Sequence, residues 1–325
     1  MKSRITYICS KLDIHHSRIL EALELEFEIE LYLAEECTEQ VSCSGAVVVY
    51  SPLSVSLDSF IIPTEVKVVG ISMGFDINHE ILERDKSSVI MKNLRRSNSV
   101  IVDSEFGSSS LKKIGFYNQV EVIPFGCNQD IWKPEPQRNF SEISVISTRT
   151  WTDIHNNELL IQAIAHSSIL QDYNFSIVTP GKLAKARLVE RYGPFAMRNV
   201  RFHEAMNPIE LKSYTDEFTF YVSTSISDGS SVSLLECMSA GMICIVSDFA
   251  SNREWILDKS NGLLYQNNCV DSLVNVLESL KSIDDLTRES ISRKAIDSVQ
   301  SKADWRLNSW KITDLIKFME GEISD

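Results

Sequence analysis

Residues 218–241 read FTFYVSTSISDGSSVSLLECMSAG, and the pattern of this stretch changes twice along its length. Residues 218–223 are rich in β-forming side chains and predict a strand. A loop of small polar residues follows, and from Val232 the apolar side chains recur at helical spacing until Gly241. The order strand, tight loop and helix predicts one unit of a parallel α/β sheet.

The loop and the helix start have the composition of an anion-binding site. The first turn of a helix leaves backbone N–H groups without partners and carries the positive end of the helix dipole. Small side chains allow a phosphate to come close to these groups. We therefore expect a diphosphate to bind here. The residues expected to contact it are Gly229, Ser230, Ser231, Val232 and Ser233.

Two acids flank this predicted anion site. Asp228 lies before the helix, and Glu236 lies about one turn inside it. Carboxylates accept hydrogen bonds from vicinal hydroxyls, so the pair fits a nucleotide sugar better than a bare nucleotide. An alternative needs no ligand: Asp228 would cap the helix and Glu236 would be a solvated helix residue.

The segments that follow carry a family resemblance. Residues 243–246 predict a buried strand, and residues 252–256 and 261–265 read NREWI and NGLLY. The whole stretch 227–264 resembles the carboxyl-terminal signature of the retaining glycosyltransferases of family 4, also called glycosyl transferases group 1. The resemblance implies the GT-B fold, with Asp228 contacting donor sugar hydroxyls, Glu236 the ribose, and the amides of residues 231–233 the distal phosphate. The family's usual first acid is Glu, so the shorter Asp228 is a departure that can alter sugar choice.

An upstream element extends the resemblance. Residues 143–147 are strand-like, Arg149 follows, and a polar loop leads to a helical run from Glu158. The element is similar to the family's strand, Arg, loop, Lys and helix, whose two cations neutralise the leaving diphosphate. Arg149 matches the arginine, whereas His155 stands in the place of the lysine. His is mostly neutral at pH 7 unless a phosphate raises its pKa. His155 as a phosphate ligand, as a loop histidine with structural partners, and as a sign of lost activity all remain open.

The nucleobase side of the donor site has weaker signals. By resemblance, the turn after the strand at residues 175–178 and the backbone after the strand at residues 200–203 line the base. Surface loops without any ligand would explain both segments equally simply. The residues concerned are Thr179, Pro180, Gly181, Glu204, Ala205 and Met206.

The first half of the chain predicts a second α/β lobe. Strand-like runs at residues 5–9, 29–33, 46–50, 66–71 and 99–102 alternate with helical patterns. We predict an α/β fold of the GT-B type, with two Rossmann-like domains whose parallel sheets face each other across a cleft. The predicted domains are an acceptor-binding domain (1–133), a donor-binding domain (134–300) and a helix (301–325) that crosses back to the first domain and packs Trp305 and Trp310.

Acceptor contacts are expected in this first lobe. His15, His16 and Arg18 follow the first strand, at the edge where parallel sheets bind ligands. Asp76 is a further candidate by position, although Met73 replaces the histidine that many relatives carry nearby. A solvated histidine pair at a helix start would explain His15 and His16 equally well.

Composition fits a two-domain protein. The 325 residues are 43% hydrophobic, which is enough for two cores. The formal charge of −13 disfavours nucleic acid as a partner. Seven scattered cysteines indicate no disulfide framework or zinc site, and Cys9, Cys127 and Cys244 read as core residues.

No apolar run approaches the roughly 20 residues that span a bilayer, and no signal-peptide core is seen. We expect a cytoplasmic protein, with weak peripheral association at the inner face of the membrane as a further expectation. Lys92, Arg95 and Arg96 cluster on a predicted helix, where they would meet an anionic acceptor or a membrane surface; a solvated helical face is the simpler alternative.

These observations define the expected function. The sequence predicts a retaining, hexosyltransferase-type glycosyltransferase (EC 2.4) of glycan biosynthesis that uses a nucleotide-diphosphate sugar, with UDP as the expected nucleotide. The acceptor is a glycan, a lipid-linked molecule or a protein. No cofactor and no metal are expected, because no Asp-x-Asp motif follows a strand and Arg149 with the helix dipole supplies positive charge. Two alternatives remain: a GT-B sugar-nucleotide epimerase, and a non-catalytic nucleotide-sugar-binding subunit.

Overall fold

A computed structural model describes residues 2–136, 138–178 and 182–321, without the side chains of residues 182–185. Contacts within the chain divide it into two units. The first unit contains Met1–Phe125 and the residues from Trp305 onward, and the second contains Gly126–Asp304. The domain boundaries expected from the sequence stay predictions, because a division by contacts does not show which segments fold on their own.

The first unit is built from a parallel sheet and helices. Its elements are β1 (Arg4–Cys9), α1 (Ile14–Glu24), β2 (Glu28–Leu33), β3 (Val41–Ser42), β4 (Val47–Ser51), β5 (Phe60–Ile61), β6 (Lys67–Ile71), α2 (Phe75–Asn78), α3 (Arg84–Arg96), β7 (Ser99–Val102), α4 (Glu105–Lys113) and β8 (Gln119–Val122). The main sheet has the order β2-β1-β4-β6-β7-β8, and β3 pairs with β5 separately. All of the pairs in both sheets are parallel.

The second unit repeats this architecture. Its elements are β9 (Ser144–Ser147), α5 (Glu158–His166), β10 (Asn174–Val178), α6 (Lys182–Ala196), β11 (Val200–His203), α7 (Pro208–Thr215), β12 (Phe220–Ser223), α8 (Val232–Ser239), β13 (Ile243–Asp248), α9 (Ala250–Arg253), β14 (Leu263–Gln266), α10 (Val270–Ser279) and α11 (Asp285–Gln300). Its parallel sheet has the order β11-β10-β9-β12-β13-β14. Strand order therefore reverses at β9, which lies between β10 and β12.

Alternation along the strands of this sheet explains the layers. Val145 and Val222 pack into one buried apolar cluster, whereas their neighbours Ile146 and Tyr221 pack into another. Successive side chains of a strand point to opposite faces, so the sheet is covered by helices on both sides. The α/β architecture with parallel sheets is confirmed.

Helix ends follow the expected chemistry. Gly241 has a φ of 79°, in the left-handed region that glycine adopts easily, and it ends α8 as predicted. Asp13 begins α1 by accepting hydrogen bonds from the amides of His15 and His16. The last helix, α12 (Trp305–Glu320), packs against α1 of its own unit.

One expectation about a side chain needs correction. Trp310 was expected to be packed, but its exposed fraction is 63%; Trp305 instead lies under the guanidinium of Arg18, at 4.7 Å from the ring centroid. Arg138, in a polar segment with two prolines, is buried although the sequence indicated no core role for it, and it donates hydrogen bonds to the carbonyls of Thr215, Phe218 and Ala240. The prediction that Cys9, Cys127 and Cys244 are core residues is confirmed, since all three are buried.

Candidate functional site

The carboxyl ends of β9 and β12 bring together the two charged residues that the sequence singles out. These strands are neighbours and run in parallel, so the loops after them leave the same edge of the sheet. Arg149 comes from the loop after β9, and Asp228 comes from the loop between β12 and α8. This edge is also where the strand order reverses, the place at which open α/β sheets bind ligands.

Arg149 has a dense set of polar contacts. Its Nη2 donates to Asp228 Oδ2 at 2.6 Å, and its Nη1 donates to Ser231 Oγ at 2.9 Å and to Ser233 Oγ at 3.0 Å. The exposed fraction of the side chain is 12% for Arg149 and 17% for Asp228. Because little solvent surrounds this ion pair, its attraction is screened less than that of a surface pair. The two side chains therefore keep a well-defined geometry.

His155 contacts the same guanidinium as Asp228. Its Nε2 is 2.6 Å from Arg149 Nη2, and its Nδ1 is 2.8 Å from Thr150 Oγ1 and 3.1 Å from the Thr150 carbonyl oxygen. Arginine only donates hydrogen bonds, so Nε2 of His155 accepts. Burial, with the positive charge of Arg149, lowers the pKa of His155 to about 4. Without a ligand, His155 is therefore neutral at pH 7 and holds Arg149 in place.

The start of α8 lacks a side-chain cap. Ser231 is at the N-cap position, yet its side chain makes no hydrogen bond to the helix backbone, because its hydroxyl accepts from Arg149. The hydroxyls of Tyr221 and Ser233 are 2.9 Å apart, and burial raises the pKa of Tyr221, which keeps its phenol neutral. The first-turn amides of α8 are thus left without the usual side-chain cap. Glu236 is half-buried about one turn further along α8.

A brace from α9 and the following loop holds this segment. Trp255 Nε1 donates to Ser230 Oγ at 2.9 Å, and Ser251 Oγ donates to the Asp228 carbonyl oxygen at 3.0 Å. Asn261 Nδ2 in turn donates to the Trp255 carbonyl at 2.8 Å. No role was predicted for Ser251, Trp255 or Asn261, although all three lie in the stretch 227–264 that carries the family resemblance. The only local indication of this site in the sequence was the run of small polar residues that follows the predicted strand.

The base side of the predicted site is described in part. Thr179, Pro180 and Gly181 lie outside the described residues. Residues 204–206 follow β11 at the same sheet edge, with Glu204 and Ala205 exposed and Met206 half-buried. Their contact with a base stays a prediction.

The last residue of β11 belongs to a polar chain. His203 Nε2 is 2.7 Å from Tyr214 Oη, which is 2.9 Å from Ser176 Oγ. Burial and the charge of Arg201 lower the pKa of His203. These contacts fix the residue from which the segment 204–206 departs.

In the first unit, two of the acceptor candidates are engaged with the protein. His16 is 2% exposed, with Nδ1 2.8 Å from Asp13 Oδ1 and Nε2 3.3 Å from the Ser51 carbonyl. Half-burial opposes ionisation of Asp13, yet the hydrogen bonds from His16 hold the pKa of Asp13 well below its usual range. His15 is half-buried, and its ring centroid is 6.3 Å from that of Phe125. The solvated-pair alternative is therefore wrong for His16.

Asp76 is fully buried at the start of α2. Its carboxylate accepts from Ser72 Oγ at 2.5 Å and from the amides of Leu53, Met73 and Ile77 at 2.7, 3.2 and 2.9 Å. Desolvation by burial raises its pKa, and these hydrogen bonds oppose that rise. This geometry indicates that Asp76 orders the loops after β4 and β6, and an acceptor contact by Asp76 stays a prediction.

Further features bear on cofactors and membranes. Among residues 2–136, 138–178 and 182–321, no group of three or more His, Cys, Asp or Glu side chains is placed to hold a metal ion. Within the same described ranges, no helix has the length and apolar character needed to span a bilayer. Lys92 on α3 is paired with Asp58, and Arg95 is exposed. These positions agree with a solvated helical face.

Comparison with known families identifies the second unit. Residues 142–282 match the family described as Glycosyl transferases group 1. The match covers somewhat less than half of the chain and includes Arg149, His155, Asp228 and Glu236. The chain thus carries a glycosyltransferase domain (EC 2.4). Comparison with curated proteins gives no sequence match.

Solved structures identify the fold of the whole chain. Sucrose-phosphate synthase from Thermosynechococcus elongatus is similar with a TM-score of 0.78 at 13% identity, covering 99% of this chain and 100% of that one. Anabaena HepE in complex with UDP-glucose has a TM-score of 0.76 at 12% identity, covering 97% and 99%. TarM has a TM-score of 0.67 at 16% identity and is covered for 54% of its length by 83% of this chain, so the chain spans about half of TarM. The fold is the GT-B fold, as predicted; the facing of its two sheets across a cleft stays a prediction.

Proposed function

We propose that the chain transfers a sugar from a nucleoside diphosphate sugar to a hydroxyl of a glycan, a lipid-linked molecule or a protein, with retention of anomeric configuration. The observation that carries the proposal is the group formed by Arg149, Asp228 and the start of α8 at the switch point of the second sheet. One cation, one acid and uncapped amides in one place suit a diphosphate that is linked to a hydroxyl-rich group.

The donor would bind with its diphosphate at the first turn of α8. Arg149 and the amides of residues 231–233 would hold the phosphate oxygens, because both supply directed N–H donors. Glu236 would accept hydrogen bonds from the ribose, and Asp228 from the sugar. We propose UDP as the nucleotide, supported by the UDP-glucose in the similar structure of HepE.

The proposed reaction needs no protein nucleophile. The bond between the anomeric carbon and the diphosphate oxygen breaks, and negative charge grows on the departing phosphate beside Arg149 and the helix dipole. The acceptor oxygen attacks the anomeric carbon from the same face. Its proton passes to the departing phosphate oxygen, so the products are the glycoside and the nucleoside diphosphate.

We also propose that catalysis is independent of metal. The positive charge that the leaving diphosphate requires would come from Arg149 and the amides of α8. The proposal is tested by adding EDTA during turnover. Unchanged rates support it, and loss of activity that manganese restores contradicts it.

The proposed function is tested with a panel of nucleoside diphosphate sugars. Wild-type protein and Arg149→Ala are incubated with each donor and a mixed set of glycan and lipid-linked acceptors, and release of the nucleoside diphosphate is measured. We expect one donor to be consumed by wild type only, with product of the same anomeric configuration by NMR. Tight donor binding without turnover would indicate a non-catalytic subunit instead. Conversion of UDP-N-acetylglucosamine without any acceptor would indicate an epimerase.

A further inference from the structure

The guanidinium of Arg149 has no terminal N–H left for a ligand. Nη1 and Nη2 each carry two hydrogens. Those of Nη1 face the hydroxyls of Ser231 and Ser233, and those of Nη2 face Asp228 and His155. The remaining donor, Nε, is buried without a hydrogen-bond partner. A diphosphate can therefore reach the terminal nitrogens only after at least one of these four contacts opens.

Of the four contacts of Arg149, the one with Asp228 is destabilised most by the negative charge of the ligand. A diphosphate brings negative charge to the guanidinium, where the carboxylate of Asp228 already lies 2.6 Å from Nη2. Two anions repel each other, and the repulsion is poorly screened here because little solvent reaches the site. Ser231, Ser233 and neutral His155 oppose an anion less, because none of them carries a negative charge.

The backbone around Asp228 is held by neighbouring side chains. Ser251 Oγ donates to the carbonyl oxygen of Asp228 at 3.0 Å, and Trp255 Nε1 donates to Ser230 Oγ two residues further on. The carboxylate itself accepts from the Gly229 amide through Oδ1 at 2.9 Å, so this hydrogen bond has to open together with the ion pair to Arg149. His155 meanwhile keeps its own contact with Nη2 at 2.6 Å, so Arg149 stays in place when the carboxylate leaves. The exchange thus requires a rotation of the Asp228 side chain, with its backbone kept in place by Ser251.

We propose that Asp228 is an exchanging anion: it occupies Arg149 in the empty site, moves to the sugar hydroxyls when the donor binds, and returns to Arg149 after transfer, helping to displace the nucleoside diphosphate. This inference rests on the proposed function and adds a cause for product release. The sugar hydroxyls donate hydrogen bonds to Asp228, and these replace its ion pair with Arg149. Once the sugar is transferred, these hydrogen bonds are lost and the carboxylate competes with the diphosphate for Arg149.

The proposal is tested by calorimetric titration with UDP, ADP and GDP of the wild type, Asp228→Asn and a matched control, Asp248→Asn. Asp248 ends the neighbouring strand β13 and pairs with Arg253 rather than with Arg149. We expect Asp228→Asn to bind the preferred diphosphate about tenfold more tightly, because the carboxylate no longer occupies Arg149 and a larger fraction of the protein is competent to bind. Asp248→Asn should change the affinity less than twofold. Asp228→Ala should shift the affinity in the same direction as Asp228→Asn.

A second background separates exchange from a general effect of charge. In Arg149→Gln, Asp228 has no guanidinium to occupy, so adding Asp228→Asn should leave diphosphate affinity nearly unchanged. A tenfold gain that persists in this background would overturn the exchange, as would equal gains in Asp228→Asn and Asp248→Asn. If none of these folded proteins binds UDP, ADP or GDP, both the exchange and the proposed function are overturned. Binding by wild type without a gain in Asp228→Asn overturns the exchange alone.

Discussion

Asp228 and Asp76 follow strands in the two parallel sheets, yet their surroundings differ. Asp228 pairs with Arg149 and is 17% exposed. Asp76 is fully buried and accepts hydrogen bonds from Ser72 and three backbone amides. A carboxylate that is enclosed by protein donors stabilises loops, whereas one that is shared with a partly exposed cation can exchange partners. The same residue type at similar places thus predicts different effects on mutation.

Asp13 extends the contrast. Its carboxylate accepts from the ring and the amide of His16 and begins α1. The low pKa of Asp13 stabilises the fold above the usual carboxylate pKa, and this contribution is lost as the pH falls toward the lowered value. Asp13 and Asp76 therefore bear on stability, whereas Asp228 is proposed to bear on ligand binding.

Removal of Arg149 should have the largest effect. Arg149→Ala takes away the cation at the leaving diphosphate, and we expect turnover to fall about a thousandfold. Arg253→Ala is the matched control, because Arg253 pairs with Asp248 at the same sheet edge. The control should retain turnover within about twofold, since its pair is a surface one. Equal losses in the two variants would contradict the assignment of the site.

Asp76→Ala should mainly reduce stability. Four donors would lose their partner in a buried site, and we expect the free energy of unfolding to fall by about 3 kcal/mol. Asp58→Ala, which removes an exposed ion pair with Lys92, should cost less than about 1 kcal/mol. Urea denaturation followed by circular dichroism compares the two variants. Equal losses of the free energy of unfolding in the two variants would contradict the distinction between enclosed and exposed carboxylates.

Glu236→Gln should weaken donor use moderately. The carboxylate is proposed to accept from the ribose, and a neutral amide accepts less strongly, so we expect KM for the donor to rise about tenfold. Steady-state kinetics with varied donor measures this, and kcat should change less than KM. A loss confined to kcat would place Glu236 at the reacting centre instead of the ribose.

His155→Gln should flatten the dependence of stability on pH. The unfolded chain protonates His155 near pH 6.5, whereas the pKa of about 4 keeps it neutral in the folded state. Stability from this residue is therefore full above about pH 6.5 and decreases as the pH falls toward 4, by about 2 kcal/mol between pH 7 and 5. Unfolding of wild type and His155→Gln at both values measures the difference. Parallel profiles would show that His155 is not held neutral.

The sequence predicted the strands better than the side-chain contacts. β7 begins and ends at the predicted residues because parallel strands buried on both faces need continuous apolar runs. The burial of His16 was missed, since it depends on the Ser51 carbonyl, a partner distant in sequence. Arg138 was missed for the same reason. Arg149 and Asp228 were predicted by resemblance to a family, but their direct contact follows from the adjacency of β9 and β12.

The central claim is that the edge formed by β9 and β12 binds a nucleoside diphosphate at the start of α8. A crystal structure of the protein in complex with UDP tests it most directly. We expect the distal phosphate within hydrogen-bond distance of Arg149 and the amides of residues 231–233, the ribose on Glu236, and Asp228 turned away from Arg149. A diphosphate bound away from α8, with the Arg149 and Asp228 pair intact, would contradict the claim.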